Sequence, residues 1–371
     1  MIEPMRSLPG IRLPTPLGLA LALSLTAPNG QGQESTPPPD PEQFAAVDAW
    51  LAQLVTDRVV PGTSLVILTR DDGVVHESKH GTGDLDAVLP IASATKLTGA
   101  TVAAILAERD LVDLEASVGE HLPGFGDRAP TLAQCLSCTS GLAQSGMFVA
   151  RHAETLEAGV AAIAATTQRR FLRPKAPGLS FHYGGAGFQV AGRTLEVAAG
   201  KPFVALFDEL VAEPLGLTTW EFGRSTTNPD LGGGARCSVR DYARFLAMHL
   251  GDGAVGDVRL MTTESARAMR DDRRGQLPLD STPYPPALGY GLAWWILPPD
   301  DGKESPHLFA DPGAFGATPW IDTARGYGAV LFLHGRRTED TPRGGFRIIK
   351  ERFAELTTLM GRCFDAAKTG G

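Results

Sequence analysis

The chain has 371 residues, enough for one large domain or two of ordinary size. Its 43% hydrophobic and 20% charged content is that of a soluble globular protein, and 43 glycines with 28 prolines imply many turns. The net charge of −8 argues against nucleic acid and against an anionic membrane surface, both of which demand a basic face.

Arg6 and Arg12 precede an apolar run from Leu17 to Ala27, "LGLALALSLTA", and a small, polar stretch follows it, "PNGQGQ". That is the layout of a secretory signal peptide, and the run is well short of the roughly 20 residues that span a bilayer. Residues 1–32 are expected to be a signal peptide and its flank, and 33–41, "QESTPPPDP", a flexible linker. The mature protein is then expected in the periplasm or outside the cell, with no membrane anchor beyond the cleaved signal.

From 41 to 55 the sequence "PEQFAAVDAWLAQLV" places Phe44, Val47, Trp50, Leu51 and Leu54 on one face of a helix. Two apolar runs around Asp72-Gly73 then predict a hairpin over 62–81. Ser93 to Glu108 reads as a helix rich in small residues, with Val102, Ile105 and Leu106 on its larger face. Helical patterns dominate from Thr131 to Met248, broken at "YGGAG" and "LGGGAR". Strand patterns return after Leu288 in "GYGLAWWIL", "ATPWIDT" and "YGAVLFLHG", and the amphipathic "FRIIKERFAELTTLM" ends the series. Strand-rich ends need each other to complete one sheet. The expected fold is therefore α/β (α+β): an antiparallel sheet flanked by the N- and C-terminal helices, from 42–100 and 284–369, with a mostly helical second domain from 101–283.

Ser93 and Lys96 lie three apart in "IASATK", so on a helix they share a face. A base role for lysine requires burial or positive neighbours to lower its pKa from about 10.4. Ala92, Ala94, Leu97, Gly99 and Ala100 offer such burial. The residues alone leave two readings open: a nucleophile with its base, or a helix cap beside a lysine that snorkels to solvent. Cys135 and Cys138 form a C-x-x-C, but no second ligand pair accompanies them, and no metal is expected. The glycine-rich stretches do not fit a phosphate loop. G-x-S-x-G and H-E-x-x-H are absent, which excludes nucleophile-elbow hydrolases and zincins.

Several stretches in order resemble the serine β-lactamase and penicillin-binding-protein superfamily, most of all class C β-lactamases, D,D-peptidases and family VIII esterases. They are "LPIASATKLTGATVAAILAERDLVDLEASVGEHLP", "TLAQCLSCTSGL", "FHYGGAGFQVAGRTLEVAAGKPF", "GGGARCSVRDYARFLAMHL", "GYGLAWWIL" and "DPGAFGATPWIDTARGYGAVLFL". The resemblance implies the β-lactamase/transpeptidase fold and an acyl-enzyme mechanism without cofactor. Ser93 would be the nucleophile, Lys96 and Tyr183 would share proton transfer, and the N–H groups of Ser93 and Ala314 would form the oxyanion hole. His182, beside Tyr183, is read as structural.

Two departures bear on the substrate. The family's Y-x-N reads Tyr183-Gly184-Gly185 here, so the substrate-holding amide is missing at Gly185. The third motif, usually K-T-G or H-x-G, reads Asp311-Pro312-Gly313, which puts a carboxylate where the family binds the substrate's own carboxylate. Asp311 facing solvent or pairing with an arginine is the alternative. Gly185, Asp311 and Gly313 are expected to line the substrate pocket. Cys138 and Cys237 replace the family's His and Ser in two segments bordering the cleft, and a disulfide between them is expected. The expected activity is that of an esterase-like serine hydrolase on a neutral or amine-bearing small-molecule or short peptide ester or amide. A β-lactamase or D-Ala-D-Ala carboxypeptidase, and a non-catalytic binding protein on the same scaffold, are the alternatives.

Overall fold

The computed structural model describes residues 41–168, 175–223, 225–284, 287–299, 307–335 and 344–369. The signal-peptide reading and all but the last residue of the linker lie outside the described residues.

Seven strands form one antiparallel sheet: β1 (Gly62–Thr69), β2 (Gly73–Gly81), β3 (Gly289–Tyr290), β4 (Trp295–Leu297), β5 (Leu308–Ala310), β6 (Thr318–Asp322) and β7 (Tyr327–His334). Their order is β2-β1-β7-β6-β5-β4-β3. β1 therefore pairs with β2 from its own hairpin and with β7 from the far end of the described chain, Val66 opposite Val330. The predicted hairpin is present, and Gly73 closes it at φ +71, a conformation glycine adopts without a Cβ penalty. β1 is buried from Gly62 to Leu68 because both faces are covered, whereas β2 is an edge strand that is mostly exposed.

Helices α1 (Ala45–Thr56) and α8 (Gly344–Thr369) pack together at the sheet. Phe44, Val47, Leu51 and Leu54 are buried as the sequence spacing requires, and Trp50 is partly buried. Trp320 of β6 meets Phe353 edge-on at 5.2 Å, and Tyr327 of β7 stacks on Phe364 at 4.4 Å, which fixes α8 on the sheet. The helix α7 (Val239–Leu250) also packs on β1, β6 and β7, with Leu246 over Gly328. The middle of the chain thus shares a core with the sheet.

One sequence reading needs revision. "GYGLAWWIL" reads as a single strand, but Gly291 donates to the Trp294 carbonyl and Ala293 turns at φ +65, which splits it into β3 and β4 as a hairpin. Helix α2 (Lys96–Glu108) packs against the helices α3 (Leu132–Leu136) and α6 (Ala186–Ala199), while α4 (Met147–Ala150) packs on α5 (Leu156–Thr167), which in turn packs on α6. Helix α2 is buried from Lys96 to Leu106, which explains its small residues: a helix covered all round leaves no space for large ones.

Candidate active site

Ser93 sits on the single turn Ala92–Thr95 that leads into α2. Ala92 adopts φ +48, uncommon for a residue with a Cβ and worth about 1–3 kcal/mol of strain. The Thr95 hydroxyl holds that turn, donating to the Ala92 carbonyl at 2.6 Å and accepting from the Ala235 N–H at 3.0 Å.

Lys96 is 2% exposed. Its Nζ donates to Ser93 Oγ at 3.1 Å and to the Gly232 carbonyl at 2.5 Å, and lies 4.7 Å from the centre of the Tyr183 ring. The sequence pairing of Ser93 with Lys96 is therefore a contact, and the snorkelling alternative is excluded by burial. Burial lowers the pKa of the amine, Arg151 acts the same way, and Asp311, Cys138 and Asp230 oppose. Burial and the charge of Asp311 raise the Tyr183 phenol well above its ordinary value, against side-chain interactions with Ser93 and Trp295. Tyr183 stands in an aromatic wall, 5.1 Å from Trp295, which is 4.7 Å from Tyr290 and 6.1 Å from Tyr284.

The structure changes the meaning of Gly185 and Asp311. Gly185 faces a backbone rather than open space: a Cβ there would lie 3.5 Å from Gly232 Cα and 3.4 Å from Met147 Cε. A Cβ on Gly184 would collide with the Gln144 side chain, whose Oε1 accepts the Ala186 N–H at 3.1 Å. Asp311 is 0% exposed, so it neither faces solvent nor lines a pocket open to substrate, and no arginine pairs with it among the described residues. Among the described residues neither carboxylate oxygen finds a hydrogen bond of normal geometry. Burial holds this carboxyl well above the usual range, against the Lys96 charge and the Leu97 N–H at the start of α2. The aspartate side chain is fully enclosed, with the Leu97 N–H and the Lys96 amine as its polar neighbours.

The hairpin that carries Asp311 also fits closely to the nucleophile turn. A Cβ on Gly313 would lie 2.0 Å from the Ile91 carbonyl oxygen, so glycine is required there, and Gly313 is buried. Ala314 follows it and is exposed, and among the described residues neither its N–H nor that of Ser93 donates to a backbone or side-chain acceptor.

All four cysteines are free thiols, so the expected Cys138–Cys237 bridge is absent. Cys138 turns at φ +60 with its thiol by the Gly184 N–H and Tyr290, and burial pushes it up to about 11. Cys237 lies in a strand pair opposite Leu89, with Asp241 as its charged neighbour. The backbone N–H of His182 donates to the Cys138 carbonyl at 2.9 Å. Sequence reasoning missed the loop at 230–234; its three consecutive glycines were the available signal, because they let one backbone approach another.

This geometry has counterparts. The fold matches a crystal structure from Bacteroides dorei DSM 17855 assigned by inference to the β-lactamases, with TM-score 0.71 and 28% identity over 85% of this chain and 99% of that one. It also matches a family VIII carboxylesterase at TM-score 0.66 and 18% identity, covering 86% of this chain and 97% of the other, a likeness of fold. Penicillin-binding protein 4 of Amycolatopsis lactamdurans is 26% identical over 322 residues, 76% of this chain and 82% of the relative. The Beta-lactamase family model matches residues 47–352, a span that holds Ser93, Lys96, Tyr183 and the Asp311 hairpin, and the chain belongs to that family within the serine hydrolase superfamily.

Proposed function

We propose that the protein is an esterase-like serine hydrolase that forms an acyl-enzyme on Ser93 with a neutral ester or amide. The observation that carries this reading is the buried Lys96 amine hydrogen-bonded to Ser93 Oγ at 3.1 Å. A neutral lysine takes the serine proton as Oγ attacks the carbonyl carbon. Its lowered pKa and the raised pKa of Tyr183 both support Lys96 as the base, with the phenol as a neutral donor that returns a proton to the leaving group. The N–H groups of Ser93 and Ala314 are the donors offered to the oxyanion, and removing one such donor typically costs about 10²–10³ in rate.

Asp311 supports the neutral substrate class. Buried and held toward its neutral form, it supplies no cation for a substrate carboxylate. The partly buried ring of Tyr183, beside the Lys96 amine, favours an apolar or aromatic group on the ester. Exposed Arg151 is the observation that favours a second reading, a β-lactamase or carboxypeptidase acting on an anionic substrate. The N-terminal pattern supports export to the periplasm or the exterior.

Two measurements test the proposal together. Mass spectrometry after treatment with a serine-directed phosphonate should show one adduct on Ser93, absent in Ser93→Ala. Aryl esters, a penicillin and a D-Ala-D-Ala peptide assayed side by side should rank in that order of kcat/KM. An unlabelled Ser93 under all conditions points to a non-catalytic binding protein, and a penicillin or peptide turned over fastest overturns the esterase reading.

A further inference from the structure

Lys96 is held by a short loop whose own geometry is fixed from outside the catalytic cluster. Asp230 anchors that loop at both ends of its side chain and backbone. Its carbonyl accepts the N–H of Gly233 at 3.2 Å and of Gly234 at 2.7 Å, and its Oδ1 accepts the N–H of Gly232 at 3.1 Å. The Leu231 N–H donates to Gln189 Oε1 at 2.6 Å. Together these bonds leave the Gly232 carbonyl aimed at Lys96 Nζ, 2.5 Å away. The other carboxylate oxygen, Oδ2, accepts from Nε of Arg151 at 3.1 Å. Arg151 follows α4 directly, and its N–H donates to the carbonyl of Met147, the residue that packs against Gly185.

We propose that the Asp230–Arg151 ion pair is the positioning device for Lys96: it fixes the Gly232 carbonyl on the amine and balances the charge the amine feels. The inference rests on the reading of Lys96 as the base. Charged and titratable groups face the amine from every element around it: Tyr183 from the segment before α6, Cys138 from the turn after α3, Asp311 from the β5–β6 hairpin, and Asp230 with Arg151. Asp230 favours the protonated amine and Arg151 disfavours it, so paired they oppose one another. Separated, they act in opposite directions. A purely structural role predicts no such opposition.

The experiment follows the rate of Ser93 phosphonylation against pH in the full chain, for wild type, Asp230→Asn, Arg151→Ala and Arg151→Lys. Asparagine keeps an oxygen for the Gly232 N–H while removing the charge, and Arg151 is about half exposed, so neither change threatens folding. The acid limb of the profile should move to lower pH in Asp230→Asn and to higher pH in Arg151→Ala, each by about half to one pH unit. Arg151→Lys, which retains the pair, should return to the wild-type limb. Variants whose limbs stay put, or move in the same direction, overturn the positioning device while the Ser93 reading stands. A wild type that does not react at all takes down both.

Discussion

Strands β1 and β7 pair over eight positions without a break, and neither carries a Lys, Arg, Asp or Glu. At the start of α2, by contrast, Lys96 is buried near Asp311, a buried carboxyl with neither oxygen in a hydrogen bond of normal geometry among the described residues. Two non-glycine residues there, Ala92 and Cys138, take positive φ. The sheet draws its stability from apolar packing and a complete ladder. The seam holds charges and strained backbone that a stability-optimised core would exclude. The contrast teaches that the sheet supports the seam: changes in one should register as lost stability, and changes in the other as altered chemistry.

The sharpest separation comes from one residue on each side. Ser93→Ala should lower hydrolysis and phosphonate labelling by at least about 10³-fold. Its unfolding free energy should stay within about 1 kcal/mol of wild type. Trp320→Ala, which removes the indole packed on Phe353, should lower stability by about 3–5 kcal/mol in urea unfolding. Below its melting transition it should retain a wild-type acid limb. If Ser93→Ala destabilised the fold as much as Trp320→Ala, the two regions would not be distinct.

Asp311→Asn tests the claim that the seam sacrifices stability. An unfolded aspartate ionises near pH about 3.9. The folded carboxyl ionises well above that, because burial disfavours its charge. Between the two values the native state keeps a proton that the unfolded state has lost. The stability this group contributes is therefore full below pH about 4 and is lost as pH rises through the folded pKa. Asparagine does not titrate, so the variant should gain on wild type from pH about 4 upward, by about 1–3 kcal/mol. Urea unfolding at stepped pH measures it, and a difference that does not change with pH refutes a raised Asp311.

The two regions also differ in how far the sequence disclosed them. Periodicity found α1, the β1–β2 hairpin, β6, β7 and α8, because burying one face or both leaves an apolar record in residue types. Ser93, Lys96 and Tyr183 were legible through ordered motifs, and the structure brings them together. The burial of Asp311 was not, since a carboxylate in a motif says nothing about which way its side chain points. The Gly232 carbonyl was invisible for a different reason: a backbone acceptor has no residue type of its own. The disulfide expectation failed because two cysteines in segments bordering one cleft can still face different neighbours. Cys138 looks to Gly184 and Tyr290, and Cys237 sits near Asp241.

The close approach of Gly185 and Gly232 allows the smallest test, and its two sides are not equivalent. An added Cβ at 185 meets Met147 Cε at 3.4 Å and Gly232 Cα at 3.5 Å, and the methionine tip can move aside. An added Cβ at 232 lies 2.7 Å from Gly185 Cα, so one backbone must shift, and the shift carries the carbonyl off Lys96. Gly232→Ala should therefore slow Ser93 labelling by about tenfold, through misplacement of the amine relative to Ser93 Oγ. Gly185→Ala should stay within about threefold of wild type, because Met is the most adaptable core side chain. Equal losses in the two variants would mean that substrate space at 185, rather than the lysine's carbonyl contact, is what these glycines protect.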